Sequence, residues 1–120
     1  MEISKTIAEL KRRPDFTEKV GMSLVHKGTV RAWSRRDLAT VRALETVVDQ
    51  EKVERLRQEY LPPPFLSSLL IFFFSGRYQP GDDLLFILVA GDVREHIKPV
   101  LAELLDRVKA EAVTKKEIPA

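Results

Sequence analysis

Apolar and polar positions alternate along this chain with two periods, and the switch between them marks out its elements. Ile3, Ile7 and Leu10 recur at helical spacing before Pro14, which predicts a short amphipathic helix over residues 3–13. From Val20 to Val30 the period drops to two, with Val20, Met22, Leu24 and His26 on one side, as in a strand. A second strand is expected over Leu38 to Val48, rich in Val, Thr and Leu, with Arg42 and Glu45 as polar interruptions. Asp49 can cap the helix that follows through its side-chain oxygen, and Val53, Leu56 and Tyr60 give that helix one apolar face. Pro62, Pro63 and Pro64 end it in an extended link.

Two continuous apolar runs come next, "FLSSLLIFFFSG" and "DLLFILVAG". Between them Pro80 presets the first central position of a type II turn and Gly81 supplies its positive φ. Together they predict an antiparallel hairpin buried on both faces. Such burial requires a helix layer on one side and a further layer or a partner subunit on the other. The last helix is expected from about Asp92 to Ala112, with Val93, Ile97, Val100, Leu101, Leu104, Leu105 and Val108 as a wide apolar stripe. Pro99 implies that this helix starts late or kinks near Glu95. The final "VTKKEIPA" reads as a short polar tail. The order is helix, two strands, helix, two strands, helix: a single α+β domain over residues 1–120, with a mostly antiparallel sheet and three main helices.

Composition narrows the function classes. A chain of 120 residues that is 44% hydrophobic can bury a core unaided. Its 20 basic and 18 acidic residues leave a formal charge of only +2, which argues against general nucleic-acid coating. With no cysteine there is no disulfide, thiolate metal site or cysteine nucleophile, so any sulfur chemistry needs sulfur brought by another molecule. No secretory signal opens the chain, and no apolar run is long and unbroken enough to span a bilayer, so a cytoplasmic protein without membrane contact is expected. The absence of asparagine, with 32% charged residues, leans towards a heat-adapted source.

Most familiar chemistries lack their residues. His26 and His96 have no cysteine to complete a metal site, no glycine-rich loop precedes a helix, and no Gly-x-Ser-x-Gly elbow occurs. Neither a metal nor a resident cofactor is expected. Phe72, Phe73 and Phe74 fit core packing better than a cofactor pocket, and part of that stripe fits a subunit contact. What remains is basic: Arg31, Arg35 and Arg36 after the first strand, Arg94 opening the last helix, and Lys109, Lys115 and Lys116 closing it. Guanidinium forks suit phosphate and carboxylate, and a lysine of lowered pKa does covalent or proton-transfer work. The same residues also fit a solvated charged face. Arg94 and Lys109 lie on one edge of the helix stripe yet about 20 Å apart on a straight helix, so one small ligand reaches both only if a twofold mate supplies the second.

Several segments, in order, resemble the large, catalytic subunit of molybdopterin synthase. "GTVR" (28–31) after an apolar strand is similar to that family's F-V-G-T-V-R signature. "ALETVVDQEKVERLRQE" (43–59) is similar to its L-E-Y-E-A-Y-P-E-M-A-E-K-E-L strand and helix. "GRYQPGDDLLFILVAGDVRE" (76–95) resembles its G-R-L-x-V-G hairpin leading to Pro-His-Arg, and "LLDRVKAEAVTKKE" (104–117) its lysine-bearing last helix followed by P-I-W-K-K-E. The resemblance implies an α/β hammerhead fold, a homodimer, and a ubiquitin-like small subunit whose C-terminal Gly-Gly thiocarboxylate donates sulfur. Two such sulfurs convert a cyclic pterin monophosphate precursor into the dithiolene of molybdopterin. By position, the resemblance makes Arg31 an anion contact beside Arg35, Arg94 a pterin or phosphate contact from the second subunit, and Lys109 catalytic. Lys115 matches the lysine after the family tryptophan, with Lys116 the alternative. The chain departs from the pattern at Asp92-Val93-Arg94, where the histidine is absent, and at Ala112-Val113-Thr114, where Pro-Ile-Trp is absent. The family also continues further beyond the final glutamate. These departures keep a non-catalytic dimeric scaffold of the same fold as the alternative.

Overall fold

The computed structural model describes residues 3–120. Helices α1 (Ile3–Lys11) and α2 (Phe16–Lys19) lead into β1 (Met22–Thr29). Strand β2 (Val41–Val48), helix α3 (Gln50–Tyr60), strands β3 (Leu66–Phe73), β4 (Gly76–Tyr78) and β5 (Asp83–Gly91), helix α4 (Arg94–Glu111) and strand β6 (Val113–Pro119) complete the order. The strands form two three-stranded antiparallel sheets, β1-β5-β3 and β4-β2-β6.

The expected hairpin forms, with Ile71 opposite Ile87 and Phe73 opposite Leu85. Gly81 adopts φ +93°, and the Asp82 N–H donates to the Gln79 carbonyl at 2.9 Å, closing the turn at Pro80-Gly81. The short β4 then leaves the hairpin to pair with β2, through Leu44–Tyr78 and Thr46–Gly76. Strand β5 is the central strand of its sheet, and every residue from Leu85 to Gly91 is buried. One face packs against α3 and α4 through Leu56, Ile97, Leu104 and Val108, all fully enclosed. The other face, at Val25, Leu70, Leu88 and Ala90, is covered by Ile3, Ile7 and Leu10 of α1, so the N-terminal helix supplies the second layer. Phe73, the last residue of β3, is core, whereas Phe74, just beyond the strand, is 57% exposed.

The Asp49 cap is present, its Oδ1 accepting the Lys52 N–H at 3.1 Å. A polar lattice fastens α3 to α4: Tyr60 donates to Glu103 at 2.6 Å, Arg107 bridges Glu59 and Glu111, and Lys52 reaches Glu111 at 3.4 Å.

Three expectations change. The second strand starts at Val41 rather than Leu38, because Leu38 lies in a turn at φ 60°. Helix α4 runs from Arg94 with Pro99 inside it, in the second turn, so it does not start late enough to hold the proline in its first turn. The polar tail is a strand: β6 pairs along β2 from Val48–Val113 to Val41–Pro119. Among the described residues no helix is long and apolar enough to cross a membrane.

Candidate functional site

A cleft of about 540 Å³ opens where the two sheets and the end of α4 meet. Its walls come from the end of β1, the loop that follows, the start of β2, the start of β5, α4 and β6. Four cations line it: Arg31 and Arg36 from the loop, Lys109 from α4 and Lys115 from β6. Asp37 and Glu117 are the carboxylates in the wall.

Each side chain is placed by ordinary local structure. The Val30 N–H donates to the Asp82 carbonyl at 3.0 Å and the Val30 carbonyl accepts from Gly81 at 2.8 Å, so Arg31 leaves the sheet at a fixed point on the 79–82 turn. Its guanidinium lies 4.7 Å from the ring centre of Trp33, a cation–π contact. The loop closes as a narrow hairpin, with Trp33 bridging Thr40 and the Val41 N–H donating to Ala32 at 2.9 Å. On α4, Val108 is sealed in the core, and the next residue, Lys109, emerges at the rim of the apolar stripe. On β6, alternate side chains point to opposite faces, and Lys115, Glu117 and Pro119 share the cleft face. Ser34 is buried, and its hydroxyl donates to Glu117 Oε1 at 3.0 Å, tying loop to strand.

The electrostatics are asymmetric. Burial, then the Lys109 ammonium, then the Arg31 guanidinium hold the Lys115 amine below its ordinary pKa, with Glu117 opposing them. His26 lies on the β1 face that carries Met22 and Leu24 into the core; burial and the Lys109 charge push its imidazole down as well. Among the described residues, none of the four cleft cations has a carboxylate within ion-pair distance. Other cations find one, as in Lys27–Asp83 at 2.9 Å and Arg57–Glu54 at 2.9 Å. Four positive groups with no carboxylate paired to them among the described residues, gathered in a partly enclosed space, suit an anion, and the amine of lowered pKa among them can accept a proton or an acyl group.

Of the residues singled out from the sequence, Arg31, Lys109 and Lys115 meet in this cleft. Lys116 pairs with Glu45 of β2 and faces away, and Arg35 lies outside the lining. Arg94 stands at the opposite end of α4, exposed, its Nε 3.4 Å from Glu95. His96, two residues on, bonds Asp92 at 2.8 Å and packs its ring on Phe65. Arg36, named with the basic residues after the first strand but given no role by the resemblance, also lines the cleft, and sequence reasoning passed over Ser34 and Glu117. No periodicity marks these three; the sign that β6 exists at all is that central β2 needs a second neighbour.

The family model described as "MoaE protein" matches residues 2–111. No curated protein matches the chain. Among solved structures, molybdopterin synthase from Staphylococcus aureus aligns with TM-score 0.70 at 22% identity, over 84% of this chain and 76% of that one. A molybdopterin biosynthesis MoaE protein from Burkholderia ambifaria MC40-6 gives 0.73 at 21%, over 100% and 84%. A complex of subunits 1 and 2 of molybdopterin-converting factor from Helicobacter pylori 26695 gives 0.70 at 14%, over 99% and 84%. At these identities the structures establish a shared fold, and the α+β hammerhead-type architecture is common to them and this chain.

Proposed function

The chain belongs to the MoaE protein family, and from that premise we propose that it is the catalytic subunit of molybdopterin synthase, serving molybdenum cofactor biosynthesis in the cytoplasm. It takes sulfur from a thiocarboxylated small subunit and places it on a cyclic pterin monophosphate to build the dithiolene. The observation that carries this reading is the cleft in which Arg31, Lys109 and Lys115 converge, none with a carboxylate within ion-pair distance among the described residues. Arg31 holds an anionic group of the precursor or the tail. Burial, with the Lys109 and Arg31 charges beside it, lowers the pKa of the Lys115 amine, and Lys115 exchanges a proton or an acyl group with the incoming thiocarboxylate. The absence of cysteine fits a donor sulfur that arrives on a partner. A homodimer brings Arg94 of a second copy to the cleft that its own chain cannot reach.

The test combines the purified chain, a thiocarboxylated small subunit and the precursor, with molybdopterin as the measured product. Product is expected, and Lys115→Ala should lower its rate by roughly 10²-fold or more, the usual scale for a lost proton-transfer group. A folded wild-type chain that binds the small subunit but gives no product favours the non-catalytic scaffold. That second reading draws on Val93 and Thr114 standing where the family pattern has His and Trp.

A further inference from the structure

Arg36 is the cleft cation that no motif supplies. The loop that carries it is firmly built. Ser34 N–H donates to Ala39 at 2.7 Å, Leu38 N–H donates to Ser34 at 2.8 Å, and Asp37 Oδ1 accepts the Ala39 N–H at 3.0 Å. The Arg36 N–H itself donates to Ser34 Oγ at 3.3 Å, the same hydroxyl that donates to Glu117. Glu117 and Asp37 are thus occupied by the loop, and Arg36 keeps a charge without a carboxylate within ion-pair distance among the described residues.

The four cations also differ in kind. A guanidinium stays charged at every accessible pH and offers a fork that matches two oxygens of a phosphate. An amine under pressure from neighbouring charges is suited to chemistry instead. The loop side of the cleft carries the guanidiniums and the α4–β6 side carries the amines. Resting on the function proposed above, we propose that Arg36 is a substrate-binding residue which, with Arg31, grips the phosphate monoester of the precursor, and that the Ser34–Glu117 bond positions it. The lysine side is thereby left to the small subunit's tail.

The chain's single tryptophan, stacked on Arg31, is a built-in reporter. Trp33 emission is followed while inorganic phosphate, or a peptide ending in Gly-Gly, is titrated into the full chain; KM and kcat for the precursor are measured alongside. Arg36→Ala should weaken phosphate about tenfold and raise KM by a similar factor, the scale of one lost charge-assisted hydrogen bond, with the loss falling on KM rather than kcat. Arg36→Lys should recover part of it, and Ser34→Ala should shift both readouts in the same direction by less. The proposal is overturned if Arg36→Ala matches the wild type, if Arg55→Ala on the distant α3 face loses as much, if wild-type Trp33 ignores phosphate, or if the Arg36 dependence shows with the peptide and not with phosphate. The phosphate titration needs no turnover. Phosphate binding that depends on Arg36 in a chain that forms no product sinks the catalytic reading and leaves the anion grip standing.

Discussion

Lys115 shares its cleft with Lys109 and Arg31, and folding brings those charges to it. In the unfolded chain its amine titrates near the ordinary 10.5; in the fold it titrates lower. The protonated form therefore costs stability in the native state. That cost is present below the folded pKa and fades as pH rises towards the unfolded value. Lys115→Met should raise the melting temperature at neutral pH while abolishing product, a trade of stability for a reactive amine. Acylation of Lys115, followed across pH by peptide mapping, should show a midpoint below 10.5 that moves back up in Lys109→Met. A midpoint unmoved by Lys109→Met removes the electrostatic account of this residue. At this scale the sequence was half legible. Arg31 and Lys109 stood out through the segments they sit in, but Lys115 and Lys116 could not be told apart until alternation along β6 assigned them opposite faces. Arg36 was named but could not be told from Arg35, because an arginine in a polar turn has the same local signature whether it faces solvent or a cleft.

Element boundaries depend on how much apolar surface each element hides. Strands β3 and β5 are buried on both faces, so their continuous apolar runs announced them, and Asp49 announced α3. Strand β6 hides almost nothing: it lies at a sheet edge with Thr114 and Lys116 exposed, so no apolar alternation records it. Its pairing with β2 is written in tertiary structure alone, and that pairing places Lys115. The join between β5 and α4 is tight in a way the sequence shows only as a glycine. A Cβ at Gly91 would lie 2.4 Å from the Phe65 carbonyl oxygen and 2.3 Å from Ile97 Cδ1. Backbone cannot yield there as a flexible side chain can, so Gly91→Ala should push the first turn of α4 off the sheet. The expected loss in urea unfolding is about 1–3 kcal/mol, the usual range for overpacking. A stability equal to wild type would mean that α4 is not seated on this contact.

For the whole molecule, the question is how a residue at one end of α4 can serve a cleft at the other. The chain measures 50 × 26 × 24 Å, and the 15 residues from Arg94 to Lys109 span about 22 Å at ~1.5 Å per residue. A single copy cannot close that gap by moving side chains, but a twofold mate can present its own Arg94 to the cleft. Such sharing makes a prediction that no single-chain site makes. Lys109→Ala and Arg94→Ala should each be inactive as pure dimers. Mixed and allowed to exchange subunits, they form hybrids in which one of the two clefts draws an intact Lys109 from one copy and an intact Arg94 from the other. With random pairing, half the dimers are hybrid and half their clefts are whole, so activity should return to about a quarter of wild type. The readout is molybdopterin formed by the mixture against the sum of its parts. Recovery that falls to nothing when exchange is prevented by cross-linking each variant beforehand ties the effect to the dimer. No recovery under free exchange would return Arg94 to the surface and leave the site to one chain.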